Sequence, residues 1–216
     1  MKMVDLHNHT FYSYDSSSTP REVVENAMAN GIDVVGITDH QFSVREKLYD
    51  YIKDINSLKE EFSDRIQVLC GLEIGTRPMP DDFFASCSDK LDYCLFECLD
   101  SEKAVDFYEF MVWRNLFSCP VGFAHTDVFL LSERYGMDIL SYMRDADIFW
   151  EINTSGNYPY YYDFLTNQKK RQALKESGVK VSIGSDTHNI ADYDASKIKR
   201  AHNLVSKLGI NIVFGN

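Results

Sequence analysis

Short apolar runs alternate with helical patterns along nearly the whole chain, and most of these runs end on a histidine, an aspartate or a glutamate. Ile32 to Thr38 delivers Asp39 and His40, Ile66 to Leu72 ends at Glu73, and Val121 to Ala124 ends at His125. Leu91 to Cys98 is another strand pattern. Ile148 to Ile152 leads into Asn153-Thr154-Ser155, and Val179 to Gly184 into Ser185-Asp186-Thr187-His188. Strands separated by helices form parallel βαβ units. About seven such units in roughly 200 residues point to an α/β fold closed into a distorted (β/α)7 barrel, with its functional groups at the C-terminal ends of the strands. An open doubly wound sheet would carry a Gly-rich phosphate loop after its first strand, and none stands there.

The helical patterns fill the gaps. Thr19-Pro20-Arg21-Glu22 has the spacing of a capping box with proline at the first helical position, and Gly31 stands where a C-terminal cap belongs. The helix between them should bury Val23, Val24, Ala27 and Met28. A longer pattern places Leu48, Tyr51, Ile52, Ile55, Leu58 and Phe62 on one stripe. Further helices are expected near 101–117, 132–145 and 163–177, then one carrying Ile198, Ala201, Val205 and Leu208, with a short terminal strand over 210–214.

The opening stretch Val4-Asp5-Leu6-His7-Asn8-His9-Thr10 holds two histidines at i and i+2, which project from one face of an extended segment and can chelate one ion. Of the other four histidines, His40, His125 and His188 each follow a short apolar run and stand beside an aspartate. Together the strand ends offer His7, His9, Asp15, His40, Glu73, His125, Asp186 and His188 as metal ligands. Imidazole and carboxylate donors suit Zn, Mn or Fe, and they outnumber what one ion needs. His202 lies in the last helical pattern without an acidic neighbour and reads as an exposed or core-edge residue.

A net charge of −11 disfavours nucleic acid as a partner, although bound divalent cations would still admit a small anionic substrate. No run approaches the ~18 apolar residues of a membrane span, and the start shows no signal-peptide pattern, so a cytoplasmic protein without a membrane partner is expected. Five cysteines without a CxxC pair read as reduced thiols, with Cys94 and Cys98 as packing residues. The composition, 44% apolar and 25% charged without a linker or repeat, fits one domain over the 216 residues.

As an ordered set, Asp5 to Thr10, Ser13 to Asp15, Gly36 to His40, Gly71 to Glu73, His125 and Gly184 to His188 resemble the polymerase and histidinol phosphatase (PHP) family. Glu151-Ile152-Asn153-Thr154-Ser155-Gly156 is similar to its histidinol-phosphatase branch. The resemblance implies a metal-dependent phosphoesterase holding two to three divalent ions. One ion would take His7, His9, Glu73 and Asp186. A second would take Asp15, His40 and His188, with Asp15 in place of a histidine of some relatives. A third would share Glu73 and use His125, but Leu99 stands where the family's other histidine belongs, and Glu97 or Cys98 could substitute by a small register shift.

Metal-activated water attacking a small phosphomonoester is the chemistry such ions perform. Asp127, beside His125, is a candidate proton donor or a buried hydrogen-bonding partner, and Arg77 is a candidate phosphate ligand or a surface charge. The Asn157 to Tyr162 segment is aromatic enough to floor a pocket, yet no basic residue follows Asn-Thr-Ser-Gly before Lys169. Two alternatives stand beside the phosphatase: an amidohydrolase-like enzyme, which usually has a bridging lysine where Glu73 stands, and a metal-stabilised regulatory module whose third site no longer works.

Overall fold

The computed structural model describes residues 2–77 and 82–215. Seven strands pair in chain order, every neighbouring pair parallel: β1 (Val4–Asp5), β2 (Val34–Ile37), β3 (Gln67–Ile74), β4 (Tyr93–Glu97), β5 (Val121–Ala124), β6 (Ile148–Asn153) and β7 (Val181–Gly184). The ring closes nearly completely. Leu6 N donates to Ile183 O, Asp186 N to His7 O and His9 N to Thr187 O, each at 2.8 Å. Apart from the ends of β3 and β4, every strand residue is buried, as expected where helices cover the outside of a barrel and side chains fill the inside.

Among the described residues, nine α-helices lie between the strands, α1 (Pro20–Ala29), α2 (Gln41–Val44), α3 (Leu48–Glu61), α4 (Asp82–Ser86), α5 (Phe107–Arg114), α6 (Val128–Tyr135), α7 (Ile139–Asp145), α8 (Pro159–Thr166) and α9 (Gln168–Ser177), and α10 (Ala195–Leu208) follows the last strand. The capping box of α1 forms as expected, with Thr19 N donating to Glu22 Oε2 at 2.7 Å and Glu22 N to Thr19 Oγ1 at 3.2 Å. The predicted stripe of α3 is buried throughout.

Two expected helices are each split in two. Gly136, at φ +62°, ends α6, and Asp138 restarts the chain as the N-cap of α7. Asn167 likewise caps α9 directly after α8. The expected helix over 101–117 shortens to α5, which Asp106 caps. The expected terminal strand reduces to one bridge, Val181 to Ile212. The opening segment already bonds along β7 from Ile183 onward, so only the Val181 end of that edge is left for Asn211 and Val213.

The lower interior of the barrel is filled by large rings opposite glycines. Tyr93 Oη crosses it to donate to Leu6 O at 2.6 Å, tying β4 to the chain just beyond β1. A Cβ at Gly36 would stand 1.8 Å from that hydroxyl, so glycine is required by close approach. His202, expected at an edge, is buried on α10. Its Nε2 lies 3.0 Å from Val4 N and 2.9 Å from Val4 O, and this contact supports the very short β1.

Candidate metal centre

The bend after β1 sets His7 and His9 on one side, with their Nε2 atoms 3.1 Å apart. Glu73, near the end of β3, and Asp186, just past β7, close on the same point. His7 Nε2 lies 3.4 Å from Glu73 Oε1 and 3.6 Å from Asp186 Oδ1, and His9 Nε2 lies 3.5 Å from Glu73 Oε2 and 3.5 Å from Asp186 Oδ1. For donors about 2.1 Å from a tetrahedral ion, the edges should be about 3.4 Å. The measured separations lie near that length, so these four residues could hold one divalent ion.

A second set opens outward. His40 Nε2 and His188 Nε2 each lie 3.4 Å from Asp15 Oδ2, and His9 also borders this group. His40 Nδ1 is 2.8 Å from Glu73 Oε2 yet lacks the alignment of a hydrogen bond, so a buried nitrogen is left without a partner. Glu73 thus reaches both sets and, through Oε1, also His125 Nε2 at 2.6 Å. His7, His9 and Glu73 are sealed from solvent, whereas Asp186, Asp15 and His188 border a cleft of about 610 Å³ that also exposes Tyr14, Ser155 and Lys197.

Buried partners aim the ligands. Glu151 Oε1 holds His7 Nδ1 at 2.6 Å, which turns Nε2 toward the centre, while Glu151 Oε2 accepts from His125 N at 2.8 Å and Asn153 Nδ2 at 3.1 Å. Ser13 Oγ lies 3.1 Å from His9 Nδ1 and accepts from His40 N at 3.0 Å. Asp39 accepts from Thr10 N, Thr10 Oγ1 and Ser13 N, which fixes that loop. Burial raises the pKa of Asp39 to about 6, against the pull of those bonds. Asp5, which accepts from Ser185 N at 2.8 Å, is raised to about 6 for the same reason.

Burial opposes a charge on His7, but Glu151, Asp186 and Glu73 outweigh it and hold its pKa well above the ordinary value. His9 has less compensation, and burial lowers it to about 4. Burial also works against a negative Glu73, yet the surrounding histidines hold its pKa well below the ordinary carboxylate value.

Three strand ends depart from ordinary backbone. Cys98, His125 and Asp186 have φ of +51°, +29° and +56°, and such outliers at ligand positions turn successive side chains inward. After β4, Leu99 points into the core and its N–H donates to Thr126 Oγ1 at 3.1 Å, so it offers nothing to an ion. Cys98, expected as packing, instead places Sγ 3.1 Å from His125 Nδ1.

All eight expected ligands come together. Asp127 does not join the donor groups found among the described residues: Oδ1 caps α6 by accepting from Phe129 N at 3.0 Å and Leu130 N at 3.1 Å. Arg77 is exposed beyond β3, where its charge bears on Glu97. Sequence reasoning missed Glu151 as a site residue, although an acid inside the apolar run Ile148 to Ile152 was the signal. Tyr158, within the aromatic segment expected to floor a pocket, stacks its ring on His125 at 4.4 Å; Lys197, whose Nζ donates to Ser155 O at 2.9 Å, was missed and carries no signature.

The sequence pattern of the PHP domain matches residues 5–202. The chain belongs to the PHP family. A histidinol-phosphatase of Lactococcus lactis subsp. lactis is 26% identical over an alignment covering 98% of this chain and 93% of that protein. The crystal structure of histidinol phosphate phosphatase from the same organism, complexed with zinc, L-histidinol and phosphate, superposes with a TM-score of 0.71. It covers 98% of this chain and 95% of its own at 22% identity, which establishes the shared PHP barrel. Among the described residues no helix is long and apolar enough to cross a membrane.

Proposed function

We propose that this PHP protein is a metal-dependent phosphomonoesterase acting on a small phosphorylated substrate in the cleft beside Asp15, Asp186 and His188. The observation that carries this reading is Glu73, one buried carboxylate reaching two adjacent donor sets. His7, His9, Glu73 and Asp186 would hold one ion and Asp15, His40 and His188 another, with zinc, manganese or iron suited to these donors. Divalent ions held there would supply Lewis acidity, acidifying water toward neutral pH and offsetting phosphoryl charge.

The protein's own groups do the positioning. Glu151 and Ser13 lock the imidazoles, so the ligands need no reorganisation as substrate enters. Lys197, half-buried on the cleft wall, sits at the Asn-Thr-Ser-Gly loop that lacks a basic residue of its own, and directs a cation toward the substrate phosphate. Arg77 offers another cation on the Glu97 side. Tyr158 walls the site over His125.

The amidohydrolase-like alternative lacks support from the family match and from Glu73, where a bridging lysine would stand. The regulatory-module alternative rests on Leu99 alone. The deciding experiment measures inorganic phosphate released from a panel of phosphomonoesters, including histidinol phosphate, by zinc- or manganese-loaded protein. Turnover abolished by both His7→Ala and Asp186→Ala supports the reading. Folded, metal-loaded protein that releases no more phosphate than these variants refutes it for that panel.

A further inference from the structure

We propose that Tyr14 and Phe42 form an aromatic platform at the mouth of the cleft that selects phosphomonoesters carrying a planar ring on the alcohol side. The place of the phosphate rests on the phosphomonoesterase reading; the platform is what the rest of the substrate touches. Both side chains are large and open to solvent, Tyr14 at 73% and Phe42 at 55% exposure. Tyr14 lines the cleft directly before Asp15, and Phe42 follows His40 by two residues and extends the surface outward. A substituent leaving a phosphate at the outward donor set therefore meets these rings first.

The rings make one surface. Tyr14 and Phe42 lie 5.7 Å and 5.2 Å from the His40 ring and 5.5 Å from each other, with planes tilted by 28°, 16° and 37°. In a stack of three, the outer centroids would be roughly twice as far apart as neighbours. Three nearly equal separations mean that no ring is sandwiched between the other two, so Tyr14 and Phe42 both keep open surface. A flat ring can lie on such a surface in contact over its whole face, whereas a saturated ring touches it through a few hydrogens. The platform also stands on the parts that fix the donors. Ser13 N donates to Thr10 O at 2.8 Å and to Asp39 Oδ1 at 3.0 Å, which sets the turn carrying Tyr14. Ser43 N and Val44 N donate to His40 O at 3.0 Å and 3.2 Å, which starts the helix carrying Phe42. The rings are thus held in place before substrate arrives. The competing account is a pair of rings that merely buttress the His40 imidazole.

Benzyl phosphate and cyclohexylmethyl phosphate decide between them, since they match in bulk and in the primary alkoxide that leaves, and only the first is flat. Zinc-loaded wild type should show kcat/KM about tenfold higher for the benzyl ester. That ratio should fall toward one in the double variant Tyr14→Leu, Phe42→Leu and persist in Tyr14→Phe, Phe42→Tyr. Equal kcat/KM for the two esters in wild type overturns the proposal. So does a leucine variant that loses activity on both esters by the same factor, the outcome of rings that only support His40. If the double variant does not fold, Phe42→Leu alone carries the same comparison. Calorimetry with benzylphosphonate and cyclohexylmethylphosphonate, which are not hydrolysed, repeats the test without turnover, and equal or absent binding overturns the platform. Protein that prefers benzylphosphonate but hydrolyses neither ester loses the phosphatase reading and keeps the platform, whereas hydrolysis of both esters with equal kcat/KM does the reverse.

Discussion

Replacing Glu151 by glutamine changes one atom at the centre's buried support. Both oxygens of Glu151 are acceptors: Oε1 for His7 Nδ1 at 2.6 Å, and Oε2 for His125 N at 2.8 Å and Asn153 Nδ2 at 3.1 Å. A glutamine keeps one oxygen and turns an NH2 group toward the other side, so one buried donor must face another. If the amide oxygen stays with His7, the His125 N–H loses its partner, and the strained turn at His125, φ +29°, loses a tether. The opposite flip abandons His7. Leaving one buried donor unsatisfied costs about 1–3 kcal/mol. Loss of an outer carboxylate behind a metal-bound histidine lowers affinity about 10–100-fold, which is about 1.4–2.7 kcal/mol. Glu151→Gln should therefore bind zinc about 10–100-fold more weakly in competition with a chelating dye, while circular dichroism shows it folded. A zinc affinity within twofold of wild type would refute the reasoning that Glu151 sets the orientation of His7.

Three further outcomes follow from the geometry. Gly36→Ala should lower stability by about 1–3 kcal/mol in urea melts, because its Cβ meets Tyr93 Oη at 1.8 Å; adding Tyr93→Phe should restore part of the loss, and strict additivity of the two would refute the clash. Burial lowers the pKa of His202 below its ordinary 6.5, so its contribution to stability is present above pH 6.5 and fades as the pH falls through the folded value. His202→Gln should flatten that dependence below pH 6.5 in urea melts, and an unchanged slope counts against it. Lys197→Met should raise KM about 3- to 10-fold with little change in kcat, less than the ~1.5–3 kcal/mol of a fully buried charged contact because Lys197 is half-exposed; an unchanged KM removes Lys197 from substrate binding.

The alternation of apolar runs and helical patterns was enough to read a parallel barrel, because strand period and helix period are local properties of the chain. The candidate ligands were legible for a related reason: in such a barrel the residue that ends a strand reaches the C-terminal face wherever that strand lies in the order. His7, His9, His40, Glu73, His125 and Asp186 could thus be named from position alone. Breaks inside a helical pattern were less visible. Gly136 and Asn167 lie within sequences whose apolar periodicity continues across them, so one helix and two are hard to tell apart.

What the linear sequence could not express is which side chains meet across the barrel. Glu151 lies 144 positions from the His7 it orients, Tyr93 lies 87 from the Leu6 carbonyl it bonds, and Lys197 reaches the Ser155 loop from the last helix. The fate of residues 97–99 was decided there too. One left-handed residue determined that Leu99 enters the core and Cys98 faces His125, and that conformation is held by bonds that Leu99 N donates to Thr126 Oγ1 and Cys98 N to Ala124 O at the neighbouring strand's end. Local periodicity is written in the order of residues, whereas long-range contacts exist only after the ring closes between residues 6–9 and 183–187.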